Sequence, residues 1–443
     1  MGKIYNIDMS NKIYPRVFLN KNEEKEILQG MPWVFDNEIS YIKHRKSIED
    51  EWKNENLKDC TVPDGEAVEV FSKAGGFLGT GIFNKKSKIT IRIIGTEHAD
   101  EIFSDTYQYY QQKVEAAYNL RQPYFSASDS YRLIFGEADL IPGFICERFC
   151  DDKDRVILVV QFLSMSCNVF RNEILYALNK VCKPNAIFER SDASVREKEG
   201  LSELSGWLDL ATKNFPLATE DSPYHFGDGK ITIIENDIKL GVDIVNGQKT
   251  GYFLDQKFNR RAAAQFCKGK RVLDTFTHTG AFGLNAVKAG ARDLTSVDIS
   301  PEAVEMVNHN IKLNDADSCM KAVCADVFDL LKKYEAAEEK FDVIILDPPA
   351  FTKSAKMIEK AYGGYKEINL RAMRLLNKGG ILITCSCSYF METKMFCDML
   401  MHAAMDSHKK IQILEKRGAG PDHPVLLGYP KSEYLKCVVC RVN

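Results

Sequence analysis

The sequence of 443 residues lacks several features that define specialised classes of protein. No apolar run approaches the roughly 20 residues that a membrane-spanning helix needs, so we expect no membrane partner. Residues 1–26 contain no unbroken apolar core of the kind found in signal peptides, and a cytoplasmic protein is therefore expected. Internal repeats and low-complexity tracts are also missing. At about 100–200 residues per domain, the length predicts two to four globular domains.

An excess of basic residues is missing too, since 59 Lys and Arg against 62 Asp and Glu give a net charge of −3. Any binding of nucleic acid must therefore use local basic patches rather than the whole surface. Basic runs occur at 41–46 (YIKHRK) and 84–93 (NKKSKITIRI). A short basic run is more often a solvated face than a track for phosphates, and charge alone neither supports nor excludes RNA as a partner.

The thirteen cysteines are odd in number and scattered along the chain. This pattern favours reduced thiols over a disulfide framework. A metal site is not expected, because the C-x-C pair at Cys385 and Cys387 lacks a second pair at suitable spacing. Cys437 and Cys440 are predicted to face opposite sides of a strand.

Turn signals and hydrophobic patterns divide the chain into three predicted domains. Residues 14–97 show short strands separated by Gly-rich turns, which predicts a small β domain. Within it, the charged segment 43–59 has no apolar stripe and is expected to be a surface insertion. Residues 98–236 combine a helix at 101–121 with several strands, which predicts a mixed α/β domain. Residues 237–443 alternate strands with helices, which predicts a doubly wound α/β domain with a parallel sheet.

In a doubly wound sheet, ligands bind at the carboxyl ends of the strands. Asp274 and Asp298 end the first two predicted strands of the third domain, and Asp326 follows the next one. Gly280 and Gly283 precede the first helix, where small residues let a ligand approach the helix N-terminus. Each carboxylate singly fits a helix cap or a surface acid, whereas three at successive strand ends favour a ligand site.

The nature of the ligand follows from charge. The full G-x-G-x-x-G pattern of dinucleotide enzymes is missing, and the carboxylate of Asp274 would repel a pyrophosphate. The same carboxylate would attract the ammonium and sulfonium of S-adenosylmethionine. Asp298 is spaced to accept hydrogen bonds from ribose hydroxyls, and Asp326 is placed to bind the adenine amine. These features predict a methyl donor as the cofactor.

A further buried strand leads into the loop "DPPAF", which begins at Asp347. Its two prolines stiffen the loop, and Phe351 is available to stack on a flat ring. An acid and an aromatic ring in a rigid loop suit recognition of a nucleobase. A Pro-rich turn with a buried Phe is the alternative that the motif also fits.

The segment "GGILITCSCSYF" ends an apolar run with two cysteines. Because alternate residues of a strand share a face, Cys385 and Cys387 are predicted to project together, with Ser386 and Ser388 on the opposite side. At least one thiol would then face the crevice of Asp347. A thiolate that adds to carbon 6 of cytosine makes carbon 5 nucleophilic, which is covalent catalysis. A cysteine packed as a small hydrophobic residue is the alternative.

In these motifs the chain resembles the class I S-adenosylmethionine-dependent methyltransferases that modify carbon 5 of a cytosine in 23S ribosomal RNA. "GMPWVF" and "FLGTGIFN" resemble the N-terminal PUA domain of that family, and "YRLIFGEADLIPGFICERF" and "IFERSDASVREKEGL" resemble its central domain. "NGQKTGYFLDQKFNRR" resembles the start of its catalytic domain, and "DHPVLLGYPKSEYLKCVVCRV" resembles its end. The resemblance implies a Rossmann-like methyltransferase domain, 23S rRNA as the substrate and a homodimer.

The resemblance also implies roles for individual residues. Cys387 becomes the nucleophile, because the family cysteine lies in a Ser-Cys-Ser triplet, and Cys385 becomes a spare thiol. Asp347 is implied to face the base. The residues implied for the cofactor site are Phe253, Asp255, Asp274, Phe276, Thr279, Gly280, Ala281, Asp298, Ile299, Asp326, Val327 and Asp347.

Three positions depart from the family pattern. The family usually has an acidic residue at Phe258, a Tyr at His278 and a Lys at Ala350. These changes leave the cofactor chemistry intact and remove expected contacts to the substrate. Two other functions stay open: methylation of a purine nitrogen with both cysteines structural, and a non-catalytic RNA-binding or ribosome-assembly factor that keeps the cofactor pocket.

Overall fold

The structure, a computed structural model, describes residues 13–45, 49–247, 250–352 and 354–443. Its N-terminal domain is a seven-stranded β-sheet, as the pattern of short strands predicts. The elements are β1 (Arg16–Leu19), α1 (Glu24–Leu28), β2 (Trp33–Phe35), β3 (Ile39–His44), β4 (Lys53–Glu55), β5 (Ala67–Phe71), β6 (Phe77–Phe83) and β7 (Ile89–Gly95). The strand order is β2-β7-β6-β5-β1-β3-β4, with β1 parallel to β5 and antiparallel to β3.

The prediction of a surface insertion over 43–59 is wrong in part. β3 extends to His44, and β4 pairs with β3 in antiparallel fashion at the edge of the sheet. Charged side chains are common on edge strands, because they discourage pairing with other chains. The segment therefore lacks an apolar stripe although it forms a strand; residues 46–48, which include the end of the basic run, lie outside the described residues.

The central domain is built on a five-stranded sheet with the order β12-β11-β10-β9-β8. Its elements are α2 (Ala99–Ser104), α3 (Thr106–Arg121), β8 (Tyr131–Phe135), β9 (Phe144–Cys150), β10 (Val156–Phe162), α4 (Met165–Val169), α5 (Arg171–Cys182), β11 (Ala186–Ser191), α6 (Val195–Lys198) and β12 (Leu204–Trp207). The predicted helix over 101–121 is two helices, because the Asp105 side chain accepts a hydrogen bond from the Gln108 N–H and caps α3.

The third domain is a doubly wound sheet preceded by a hairpin, and the two strands of this hairpin lie on either side of the predicted boundary between residues 236 and 237. Its elements are β13 (Lys230–Glu235), β14 (Ile238–Asp243), α7 (Lys257–Ala264), β15 (Arg271–Thr275), α8 (Ala281–Lys288), β16 (Asp293–Asp298), α9 (Pro301–Leu313), β17 (Met320–Cys324), α10 (Val327–Ala336), β18 (Phe341–Leu346), α11 (Ile358–Leu375), β19 (Leu376–Ser386), α12 (Thr393–Asp406), β20 (Ile411–Arg417) and β21 (Lys436–Val442). The order is β17-β16-β15-β18-β19-β21-β20, with β21 antiparallel to both neighbours. The strand order reverses between β15 and β18, which is where such sheets bind ligands.

The two faces of this sheet pack into different cores. Ile383 and Cys437 belong to the core that continues into the central domain through Phe149. Leu382 and Cys440 belong to the core beneath α10, α11 and α12. Cys437 and Cys440 thus lie on opposite faces, as predicted from their spacing. Within the described ranges, no helix has the length and apolar composition needed to cross a membrane.

Candidate active site

The structure brings three carboxylates together at the carboxyl ends of β15 and β18. Asp274 lies in β15, Asp347 follows β18, and Asp255 lies in the turn before α7. The charges of Asp255 and Asp274 both raise the pKa of Asp347, which places all three groups within electrostatic reach of one another. We refer to the space that they border as the crevice. The sequence predicted this position for Asp274 and Asp347 from the strand ends.

Asp274 is fully buried at the base of the crevice. Its Oδ2 accepts hydrogen bonds from the Thr277 hydroxyl, the Gly283 N–H at 3.0 Å and the Ser296 hydroxyl at 3.0 Å. Its Oδ1 is buried and has no hydrogen-bond partner among the described residues. Burial raises the pKa of Asp274 to about 6 against the effect of these hydrogen bonds. A buried carboxylate with one oxygen unused favours a cationic ligand.

Asp255 and Asp347 are linked through Gln256. The Gln256 Nε2 donates to Asp347 Oδ1 at 2.9 Å, and the Tyr434 hydroxyl donates to Asp255 Oδ2. Asp255 Oδ1 is buried without a hydrogen-bond partner in the described part of the chain. Desolvation, followed by the charge of Asp255, raises the pKa of Asp347 to about 7, although Arg260 and the Gln256 hydrogen bond oppose the shift. Near neutral pH, Asp347 is therefore able to donate or to accept a hydrogen bond.

The predicted ribose and adenine acids make local backbone contacts. Asp298 Oδ2 accepts from the His278 N–H at 2.9 Å, and its Oδ1 accepts from the Ser300 N–H at 3.1 Å. The exposed Asp326 caps α10, since its Oδ1 accepts from the Phe328 N–H at 2.8 Å. The contacts of Asp326 are therefore those of a helix cap, which was the alternative to a ligand-binding role. An ionised carboxylate has about four acceptor sites, so both acids retain capacity for a ligand.

The loop between β15 and α8 holds unusual backbone conformations. Phe276 has φ 56°, His278 has φ 53° and Gly280, the N-cap of α8, has φ 81°. Left-handed backbone at two non-glycine residues is strained, and such strain concentrates at ligand-binding sites. The Phe253 ring packs edge-on against His278 at 4.9 Å between centroids. Of the other implied cofactor residues, Thr279, Ala281 and Val327 are buried, and Ile299 is 64% exposed.

Cys385 is unsuited to nucleophilic attack. It is fully buried and lies directly opposite Cys437 in β21. A hydrogen bond with the Cys437 thiol, burial and the charge of Asp347 raise the pKa of Cys385 well above its ordinary value. A thiol in this setting stays protonated at neutral pH.

Cys387 differs from Cys385 in exposure. β19 ends at Ser386, and Cys387 lies beyond that end, where it is partly exposed. Ser386 and Ser388 both form hydrogen bonds with the Tyr365 hydroxyl at 3.0 Å, which places the two serines on one side as predicted. Because β19 ends before Cys387, the expectation that both cysteines project together stays a prediction.

Lys436 is a residue that the sequence reasoning missed. It is buried at the start of β21, opposite Ser386, and its Nζ donates to the carbonyls of Ser388 and Tyr434 at 2.7 Å each. Burial lowers the pKa of Lys436 to about 8, while the neighbouring Cys387 opposes the shift. A cation therefore lies beside Cys387. The available signal was a Lys directly before four apolar residues at the start of the strand "KCVVCRV".

Phe351 and Phe258 serve the core. The Phe351 ring packs on Tyr365 at 4.5 Å between centroids and contacts Phe276 and Phe328 at longer distance. The alternative of a packed Phe in a Pro-rich turn therefore describes Phe351. Phe258 packs edge-on against Phe125 of the central domain, with 5.8 Å between ring centroids, so an apolar contact lies where the resemblance led us to expect an acid.

A cavity of about 190 Å³ opens between the central domain and the crevice. Asp255 and Tyr434 form part of its wall, and Arg132 and His423 face it from the central domain and the C-terminal segment. Arg132 is paired with the buried Glu147. Sequence reasoning did not identify Arg132 or His423, because the residues that meet here are far apart in the chain.

Comparisons with known proteins identify the family. A PUA-like domain model matches residues 17–96, and an S-adenosylmethionine-dependent methyltransferase model matches residues 225–429. "Ribosomal RNA large subunit methyltransferase I" of Photobacterium profundum is 37% identical over 432 residues, which is 96% of this chain and 99% of the relative. The chain belongs to this family. The protein of the same name from Klebsiella pneumoniae strain 342 is 35% identical and covers 98% of this chain and 100% of the relative.

Solved structures agree on the fold. A putative SAM-dependent methyltransferase from Streptococcus mutans has a TM-score of 0.73 at 20% identity and covers 96% of this chain and 99% of its own. A putative methyltransferase complexed with SAH has a TM-score of 0.74 at 21% identity, with the same coverage. The predictions of a PUA-like domain, a Rossmann-like methyltransferase domain and S-adenosylmethionine as the cofactor are confirmed.

Proposed function

We propose that the protein transfers a methyl group from S-adenosylmethionine to carbon 5 of a cytosine in 23S ribosomal RNA through a covalent adduct with Cys387. The observation that carries this proposal is the contrast between the two cysteines: Cys387 is partly exposed beside the Lys436 cation, whereas Cys385 is buried. The printed name of the relatives, which refers to the large-subunit ribosomal RNA, supports the substrate class.

The carboxylates of the crevice fit the cofactor. The unused, buried oxygens Asp255 Oδ1 and Asp274 Oδ1 suit a cationic amino-acid end. Asp298 is proposed to bind the ribose and Asp326 the adenine. When bound, the cofactor supplies a methyl group on a positively charged sulfur, which is open to attack by a carbon nucleophile. The other proposed contacts are Phe253, Phe276, Thr279, Gly280, Ala281, Ile299 and Val327.

The chain itself activates the cytosine. The Cys387 thiolate forms a bond to carbon 6 of the ring, and the electrons of the double bond between carbons 5 and 6 move into the ring. Asp347, in its acid form, donates a proton at ring nitrogen 3 and leaves carbon 5 as the nucleophile; its pKa of about 7 makes this form available. After carbon 5 is methylated, water takes up the carbon 5 proton, and the thiolate leaves carbon 6 as the double bond between carbons 5 and 6 forms again. Nitrogen 3 returns its proton to the Asp347 carboxylate, which regenerates the acid.

Lys436 is proposed to stabilise the thiolate of Cys387. Its Nζ is fixed by two carbonyls, one of which belongs to the residue after Cys387. An ammonium held next to a sulfur favours the anionic form of that sulfur. With a pKa of about 8, Lys436 is mainly charged at pH 7.

We propose a separate role for each domain. Residues 14–97 bind RNA, residues 98–236 pack against the crevice and support it, and residues 237–443 bind the cofactor and catalyse the reaction. We also propose a cytoplasmic homodimer with no membrane partner. RNA binding is expected to weaken steeply with salt, as phosphate contacts release counterions.

The proposed mechanism is tested by trapping the adduct. RNA that contains 5-fluorocytidine, incubated with S-adenosylmethionine, is expected to form a complex stable to denaturing gel electrophoresis, because the fluorine at carbon 5 blocks the last step. The matched variants are Cys385→Ala, which should form the complex, and Cys387→Ala, which should not. An undiminished complex with Cys387→Ala, or none with the wild-type protein, would contradict the proposal.

A further inference from the structure

One face of the N-terminal sheet carries a row of aromatic rings. Phe18 of β1 is the cross-strand partner of Tyr41 in β3 and of Phe71 in β5. The Phe18 ring stacks on Tyr41 with centroids 4.7 Å apart and on Phe71 at 5.3 Å. All three side chains are partly exposed, and none belongs to the core of the domain, which contains their sequence neighbours Val17 and Val70.

Cations flank these rings on the same face. Arg16 and Lys43 are cross-strand partners, and the Arg16 side chain is 48% exposed. The Arg16 Cζ lies 5.7 Å from the Phe71 centroid, and the Lys43 Nζ lies 5.4 Å from the Phe18 centroid. A short distance away, the Arg16 Cζ lies 4.9 Å from the ring of Trp52. We call the surface of Arg16, Phe18, Tyr41, Lys43 and Phe71 the ring face.

The charge of the ring face favours a polyanion over an apolar partner. An acid, Glu69, lies at its border, where its carboxylate is 4.0 Å from Arg16 and 2.8 Å from the His98 ring nitrogen. Internal cation–π contacts stabilise such a surface only modestly, by about 0.5–1 kcal/mol at exposed sites. Rings that stay partly exposed beside cations match what single-stranded nucleic acid requires, namely surfaces for base stacking and charges for phosphates. A double helix offers the phosphates but keeps its base faces stacked inside.

We propose that the ring face binds an unpaired stretch of RNA by stacking bases on Tyr41 and Phe71, which the Phe18 ring between them holds in place, and by pairing phosphates with Arg16 and Lys43. The proposal rests on the proposed function in one respect, which is that RNA is the substrate. It assigns a function to the first part of the basic run at 41–46, for which the sequence favoured a solvated face. It also predicts that the ring face contributes to RNA affinity and leaves the chemical step unchanged.

The test compares two RNA ligands on the full-length protein. Fluorescence anisotropy is measured with a labelled single-stranded oligouridine and with an RNA duplex of equal length. Phe71→Ala and Tyr41→Ala are each expected to weaken binding of the single strand by about 5- to 150-fold, the range found for single stacking residues, with a much smaller effect on the duplex. Tyr124→Ala, which removes a 58% exposed ring in the central domain, is the matched control and should leave both affinities unchanged.

Two further variants guard against a loss of folding. Tyr41→Trp keeps a stacking ring and should retain binding of the single strand. Arg16→Gln combined with Lys43→Gln should reduce the slope of log affinity against log salt by about 1.4, because each phosphate contact on a single strand adds roughly 0.7. Unchanged binding of the single strand by both alanine variants, or equal losses for strand and duplex, would overturn the proposal.

The test of RNA binding by the ring face can be distinguished from the test of the covalent mechanism. In a methylation assay with structured RNA, Phe71→Ala should raise KM and leave kcat unchanged, since uniform binding is lost. The binding assay uses unmodified RNA and needs no turnover. A protein that bound the single strand as proposed yet formed no fluorocytidine adduct would therefore contradict the covalent mechanism and retain the ring face.

Discussion

The Lys436 ammonium distinguishes the two cysteines chemically. Cys385 is buried against Cys437, whereas Cys387 shares its surroundings with a fixed cation. Replacing Lys436 by Met should raise the pH midpoint for alkylation of Cys387 by iodoacetamide by roughly one unit or more, because the thiolate loses a favourable charge. Alkylation is followed by mass spectrometry of the Cys387 peptide as a function of pH.

Lys436→Arg is the conservative control for this measurement. It keeps the positive charge and should restore an alkylation midpoint close to that of the wild-type protein. A purely structural role for Lys436 would lower the thermal stability of both variants and leave the midpoint in place. An unchanged midpoint in a folded Lys436→Met protein would thus remove Lys436 from the mechanism.

Asp347 should give the reaction a falling alkaline limb. Because its pKa is raised to about 7, the acid form persists up to that pH and is lost as the pH rises through it. The thiolate of Cys387 requires the opposite change, so kcat at saturating RNA should follow a bell-shaped curve. Asp347→Asn should lower kcat by about 10²- to 10⁴-fold and abolish the alkaline limb. If kcat of Asp347→Asn still fell at alkaline pH, the fall would have to come from the titration of another group.

At the level of secondary structure, the packing of α8 against the sheet depends on Gly283. A Cβ at this position would lie 2.7 Å from the Ser296 Oγ and 3.0 Å from the Leu294 side chain. Gly283→Ala should therefore destabilise the protein by about 1–3 kcal/mol through overpacking. Gly363 in α11 is the matched position, because a Cβ there meets no atom within 4 Å. Gly363→Ala should stabilise by about 0.5–1 kcal/mol, as glycine is unfavourable inside a helix.

Unfolding midpoints in urea compare the two alanine variants directly. The expected shifts have opposite signs although the substitution is the same. Equal shifts would mean that helix propensity, rather than the contact between α8 and β16, decides the result. Reduced affinity for the cofactor is also expected in Gly283→Ala, because the Gly283 N–H holds Asp274 Oδ2.

Local sequence patterns predict where strands and helices occur, but they do not predict which strands pair with each other in the sheet. The strand-end positions of Asp274 and Asp298 follow from alternation and turn signals over a few residues, and both were predicted. The burial of Cys385 depends on β21, which pairs with β19 from far along the chain. No local pattern contains that pairing, so strand alternation did not distinguish the two thiols, and only the family resemblance pointed to Cys387. The cation beside Cys387 was missed for the same reason.

At the level of the whole molecule, a buried ion pair joins the N-terminal and central domains. Arg92 of β7 forms hydrogen bonds to both carboxylate oxygens of Glu199, at 2.8 and 2.9 Å, and both side chains are buried. Asn84 and Ser87 also donate to Glu199. Glu199 is more than 100 positions from Arg92 in the sequence, so the sequence patterns that divide the chain into domains did not predict this contact.

Glu199→Gln should destabilise this junction by up to about 3–5 kcal/mol, because the buried Arg92 charge loses its closest counter-ion. Arg92 then keeps only the more distant Glu137, whose Oε1 lies 4.0 Å from its Nε. Burial opposes ionisation of Glu199, but the Arg92 charge and the hydrogen bonds lower its pKa overall. The ion pair therefore contributes its full stability above the ordinary carboxyl pKa and loses it as the pH falls through the lowered one. Melting temperatures of wild type and Glu199→Gln should consequently differ most near pH 7 and converge toward pH 3.

The control is Glu197→Gln, an exposed position two residues earlier, whose melting temperature should follow the wild-type curve at every pH. A difference between wild type and Glu199→Gln that stays constant with pH would show that packing, rather than charge, holds the two domains together.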